Sequence, residues 1–165
     1  MTKLGDIYQT NTRPIRFFQL VGFDETQLGS EVIAVLKGDA PSYPSDIELS
    51  RLIASGAEFF THAMVAVGLK DGSWKKIASG PVVDAKKAIF KVAYYKDDLP
   101  DIEPYEADNY HSWVIWAISG KWKQIGSKID KYPDAELGMV YPPEDILYRI
   151  EHGEYPGVPY YGQVR

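Results

Sequence analysis

From Ile15 to Gly22 the chain alternates two faces that are both largely apolar: Ile15, Phe17, Gln19 and Val21 on one, Arg16, Phe18 and Leu20 on the other. A short run apolar on both sides predicts a central strand. Gly5 to Thr10 precedes it as a first strand, across Asn11-Thr12-Arg13-Pro14, a turn signal in which proline pushes the residue before it toward extended geometry. Asp24 to Ser30 reads as a loop and Val32 to Lys37 as a third strand. Connections this short leave no room for a crossover helix, so the three strands are expected to form an antiparallel meander.

Gly38 to Pro44 is loop, and Ser45-Asp46-Ile47-Glu48 then matches a capping box, with Leu49, Leu52 and Ile53 at helical spacing and Gly56 as a stop. A helix is predicted over 46–55. His62 to Leu69 reads as a strand, Lys70-Asp71-Gly72-Ser73 as a hairpin turn and Trp74 to Ala78 as its return. Further strands are predicted over Ala88 to Tyr95, Trp113 to Ile118 and Trp122 to Gly126, the last two joined through Ser119-Gly120. Pro142-Pro143-Glu144-Asp145 opens a second helix over about 143–152: proline suits the first turn, early carboxylates suit the positive end of the dipole, and Gly153 closes it. Ile146, Leu147 and Ile150 form its apolar stripe, and residues 154–165 are expected to pack as an extended tail. The sum is an α+β fold, mainly an antiparallel sheet of short strands with two short helices, in a single domain over 1–165 with no repeat, linker or low-complexity segment.

Composition adds exclusions. The 165 residues contain no cysteine, so disulfides, zinc–thiolate sites and cysteine nucleophiles are ruled out. No apolar run approaches the roughly 18 residues of a membrane helix, and Leu4-Gly5-Asp6 interrupts any secretory core, so a cytoplasmic protein without a membrane partner is expected. Twelve tyrosines against six phenylalanines fit strand-rich structure and also interfaces.

Charge is distributed unevenly. Residues 1–96 carry 10 acids and 12 bases, residues 97–165 carry 13 acids and 6 bases, and six of those acids fall within 97–108 with no cation among them. They are Asp97, Asp98, Asp101, Glu103, Glu106 and Asp108, with Tyr105 inside the block and Tyr110 and Trp113 beside it. A basic cluster, Lys75, Lys76, Lys86, Lys87, Lys91 and Lys96, precedes it. A nucleic-acid binder would show net basic excess, and the chain is at −5, so no nucleic-acid partner is expected. The acidic block is either a solvated stretch that aids solubility or a docking surface for a basic protein. It lacks the spacing and glycine of a calcium loop.

Catalytic signatures are missing. The histidines His62, His111 and His152 do not pair at metal-ligand spacing; a site assembled from them in space with carboxylates stays open as the alternative. No nucleophile elbow, phosphate loop or dinucleotide fingerprint occurs, so no catalytic residue, metal ligand or cofactor is assigned.

Three blocks carry a family resemblance: Gly5-Asp6-Ile7-Tyr8-Gln9; Arg16-Phe17-Phe18-Gln19-Leu20-Val21-Gly22; and Leu137-Gly138 leading into Pro142-Pro143-Glu144-Asp145-Ile146, Tyr148-Arg149-Ile150 and His152-Gly153. In these the chain resembles the immunity protein 26 family of bacterial polymorphic toxin systems. The resemblance covers about a quarter of the chain. It implies a mostly β domain that binds and neutralises a cognate toxin protein in the producing cell. A small organophosphate hydrolase is grouped with that family, which keeps a phosphotriesterase-like, metal-dependent enzyme as an alternative, beside an accessory structural domain. The expectation is binding rather than catalysis, with the contact surface at Asp97, Asp98, Asp101, Glu103, Tyr105, Glu106, Asp108 and Tyr110.

Overall fold

The structure is a computed structural model, and it describes residues 2–95 and 111–157. The expected meander is present as β1 (Asp6–Thr10), β2 (Phe17–Asp24) and β3 (Ser30–Leu36), paired antiparallel with Tyr8 opposite Phe18 and Phe18 opposite Val35. It lies at the centre of a six-stranded sheet. β4 (Ala57–Ala63) and then β10 (Val140–Tyr141) extend one side, and β5 (Trp74–Ser79) pairs with β1 on the other. Only the β10–β4 pairing in this sheet is parallel. A second sheet has the order β8 (Lys123–Gly126), β7 (His111–Ala117), β6 (Ile89–Tyr95), β9 (Glu136–Leu137). A 3-10 turn over Lys128–Lys131 links β8 to β9. The architecture is α+β with mostly antiparallel sheets, as the patterning predicts.

Both faces of β2 are buried because layers cover the large sheet on both sides. Phe17 and Val21, with Val32 and Ala34 of β3, meet Phe90, Val114 and Trp116 of the second sheet. Phe18 and Leu20 meet Tyr8, Ile33, Val35 and Trp74, and helices close over them. The second sheet buries its outer face with Trp113 and Ile115 against Ile125, Ile129 and Tyr132.

Helix α1 (Asp46–Ser55) begins on the expected box: Ser45 Oγ accepts from the Glu48 N–H at 3.4 Å, and a Glu48 carboxylate oxygen accepts from the Ser45 N–H at 2.7 Å. Its Leu52 is buried between the sheets. Helix α3 (Pro143–His152) has proline in its first turn and ends on Gly153 at φ 82°, where a side chain would be strained. Its fully buried Ile146 caps the opposite face of the large sheet. Arg149 anchors it through two 2.7 Å hydrogen bonds to Glu136, with the guanidinium 3.8 Å from the Phe59 ring centroid. Tyr155 continues this layer, stacked on Tyr141 at 3.7 Å and donating from its hydroxyl to Thr61 at 2.7 Å.

The expectation of two helices and of a strand over 62–69 is corrected. The strand β4 ends at Ala63, and Val65–Asp71 forms a third helix, α2. Met64-Val65-Ala66-Val67 alternates too little to separate strand from helix. Tertiary contacts decide it. The Glu31 carboxylate of β3 accepts from the Val65 N–H at 3.0 Å, supplying the cap that Met64 lacks. Gly68 lies flat on the Trp74 indole, where a Cβ would fall 2.1 Å from a ring carbon. Consequently β5 pairs with β1 and not with a hairpin partner before it.

Between β9 and β10 the chain passes from one sheet to the other. Gly138 marks the crossing: its N–H donates to the Lys91 carbonyl at 2.9 Å, and a Cβ there would lie 2.0 Å from the Trp116 ring. Gly138→Ala is expected to cost about 1–3 kcal/mol by overpacking, at the upper end because the Trp116 ring it meets belongs to the core. Urea denaturation of the variant checks this; an unchanged midpoint would contradict the close approach.

Candidate functional site

The last residue of β2 is Asp24, and its carboxylate is fully buried. One oxygen accepts from Trp116 Nε1 at 2.7 Å and lies 2.8 Å from His62 Nε2. The other accepts from the Ser119 N–H at 3.2 Å. His62, on β4, is also fully buried and packs 4.1 Å from the Phe90 ring. Burial alone would push the Asp24 carboxyl up. The indole and imidazole donors, with the Ser119 amide, outweigh it and hold the group below its ordinary value. Burial pushes the His62 imidazole down, and Asp24 offsets this only in part. Asp24 is therefore a carboxylate, and the His62 imidazole holds a second proton less readily than a free one. With Nε2–H given to Asp24, the Nδ1 lone pair of His62 has no hydrogen-bond partner.

Two turns lock onto this carboxylate. Ser119, at φ 53°, donates its hydroxyl to the Phe23 carbonyl at 2.6 Å and accepts the Glu25 N–H at 3.1 Å. Thr26 and Gln27 both donate to the Gly120 carbonyl, at 3.0 and 3.1 Å. The β2–β3 turn of one sheet is thus clipped to the β7–β8 turn of the other. Such an Asp–His pair is a familiar base for proton transfer, but a general base needs access to its substrate proton. Here both side chains are sealed at 0% exposure, so the arrangement is a polar rivet between sheets.

On the solvent side of the same turn lies a cleft of about 760 Å³. Phe23, Leu28, Met64 and Val140 form apolar walls, and Glu25 and Glu31 contribute carboxylates. Phe23 and Met64 are 38% and 42% exposed, and Met139 beside Val140 is 44% exposed. It stands at the shared end of β2, β3, β4 and β10, where short strands end and turns begin.

The residues singled out from sequence fall differently. Asp97, Asp98, Asp101, Glu103, Tyr105, Glu106, Asp108 and Tyr110 lie outside the described residues. Their flanks are Tyr95 and His111, which are opposite one another in the β6–β7 pairing. Of the histidines, His62 is in the core, while His152 is exposed on α3, its ring stacked on Tyr148 and Nδ1 2.9 Å from the Tyr148 carbonyl. Among the described residues, no group of three or more histidines and carboxylates is placed to hold a metal ion. Asp24, Glu25 and Glu31 were not singled out from sequence: an aspartate before Glu-Thr-Gln reads as turn chemistry, and nothing local reveals Trp116 as its partner.

Asp24→Asn is expected to remove about 3 kcal/mol of stability, because it presents an amide N–H to donors that have no other acceptor. Equilibrium urea unfolding measures it. For His62 the folded pKa lies below its ordinary 6.5. Between those two values the unfolded chain binds a proton that the folded chain does not, so stability falls as pH drops below about 6.5. For Asp24 the contribution is complete above its ordinary 3.8 and is lost only as pH falls below that. His62→Gln keeps an N–H for Asp24 and removes the imidazole titration. It is expected to flatten the decline between about pH 6.5 and 4 in unfolding midpoints; a wild-type slope in the variant would contradict a buried neutral His62.

No protein-family model matches the chain, and no curated protein or solved structure matches it.

Proposed function

We propose that the chain is a binding protein that neutralises a protein partner of basic surface, in the manner the resemblance to toxin-neutralising immunity proteins implies. The observation that carries this reading is the charge distribution: six carboxylates and no cation within 97–108, in a chain that is otherwise close to balance. That block is inserted between β6 and β7, strands whose Phe90, Val114 and Trp116 are core residues. A charged segment tethered at both ends to a packed sheet costs less entropy to dock than a free tail.

The mechanism is occlusion. The acidic side chains steer a cationic surface into encounter, Tyr105 and Tyr110 supply anchors, and the bulk of the sandwich blocks the partner's working face. Toxins that cut nucleic acid carry basic active faces, so an acidic inhibitor in the same cytoplasm is chemically apt. The closure of Asp24 and His62 against solvent also favours this reading over hydrolysis at that pair.

Two measurements test it. Co-expression with a toxin encoded beside this chain is expected to restore growth; persistent killing would sink the neutralising role. The quadruple variant Asp97→Asn, Asp98→Asn, Asp101→Asn, Glu103→Gln is expected to slow association with that toxin by about tenfold or more at low salt and to flatten the salt dependence. An on-rate equal to wild type removes the acidic block from the mechanism.

A further inference from the structure

We infer that the cleft bounded by Phe23, Glu25, Glu31, Met64 and Val140 is the seat for a lysine- or arginine-bearing segment of the protein partner. This rests on the binding role proposed above and adds a second contact, remote in sequence from the acidic block.

The first argument is electrostatic. Glu25 and Glu31 line the cleft and no lysine or arginine does among the described residues. The ion pairs of Arg16 with Glu58, Lys76 with Asp6 and Arg149 with Glu136 all lie at other carboxylates. Glu31 is held by neutral donors, the Thr2 hydroxyl at 2.7 Å and the Val65 amide, so its charge is oriented but not cancelled. Asp24 also belongs to the wall, its own carboxylate turned inward onto the Trp116 indole, the His62 imidazole and the Ser119 amide.

The second argument is the shape of the residues. A lysine or arginine side chain is an apolar stem with a charged head. Phe23, Met64 and Val140 suit the stem, the carboxylates suit the head, and the flexible Met64 can adjust to either. A volume of about 760 Å³ exceeds one side chain and accommodates it with part of the loop that carries it. The exposed apolar rim of Phe23 and Met64 is what a protein segment would cover and a lone cation would not.

The experiment is an amide-correlation NMR titration of the full chain at low salt. The probe is a capped hexapeptide alternating leucine and arginine, with a leucine–glutamate hexapeptide and arginine amide as comparisons. The expected result is saturable shifts at Phe23, Gly29, Glu31, Met64 and Val140 with the basic peptide alone. They are expected to persist in the quadruple acidic-block variant and to need about five- to tenfold more peptide in Glu25→Lys. The side chain of Glu25 is exposed, and Glu25→Gln offers a milder second variant. Shifts confined to 97–108 would overturn the cleft as a contact while leaving the neutralising role standing. Equal shifts with arginine amide would overturn a protein segment as occupant. Stationary cleft amides throughout would overturn the inference, and growth rescue would still judge the binding role separately.

Discussion

A carboxylate in the core is tolerable only if its oxygens are satisfied. At Asp24 that requirement dictates how the two sheets meet. Removing a charge from water costs several kcal/mol, and charge-assisted hydrogen bonds of about 1.5–3 kcal/mol each must offset it. The donors come from three places in the chain: β4, β7 and the turn after β7. They converge only when the sheets are in one relative register. Apolar contacts between the sheets, such as Phe17 and Val21 against Phe90 and Val114, would tolerate sliding; the Asp24 hydrogen bonds would not. The close approaches around it follow. Gly22 lets the Ile118 side chain sit where a Cβ would be 2.9 Å away, and Gly138 does the same for the Trp116 ring.

The same device recurs in milder form. Gln19 is fully buried in the middle of β2, yet its amide donates to the Gly5 and Pro81 carbonyls, and its oxygen accepts from the Val83 N–H at 2.8 Å. Asp6 takes the Ser79 hydroxyl and the Lys76 ammonium at 2.7 Å and the Lys3 amide at 3.0 Å. In each case a buried polar side chain of a strand serves main-chain groups of a neighbouring loop or turn. Short strands leave many connections, and each connection brings N–H and carbonyl groups to the edge of the core that no ladder can satisfy. Polar side chains in the sheets supply what the ladders cannot.

This explains what could be read from the sequence and what could not. The meander, α1 and α3 rest on local signals: alternation in β2, the Ser45–Glu48 box, and prolines and acids before Ile146. Local physics decided them, and they stand within a residue or two of expectation. The strand expected over 62–69 was misread because its fate was settled by Glu31, more than thirty residues earlier, and by Trp74 lying over Gly68. The partner of β5 was misread for the same reason. Asp24 carried no signal because its meaning lies 92 residues away at Trp116. His62 was visible only as one histidine among three, and neither its burial nor its neighbour could be inferred from spacing. The cleft was invisible because it forms where the ends of four strands distant in sequence come together.

The rivet and the cleft are one structure seen from two sides. Asp24, which fixes the sheets, is also part of the wall that carries Glu25 and Glu31. The turn that packing fixes through Asp24 thus carries Glu25 to the end of the sandwich where Phe23 and Met64 are exposed. A cationic side chain entering there would satisfy the field without disturbing the core hydrogen bonds.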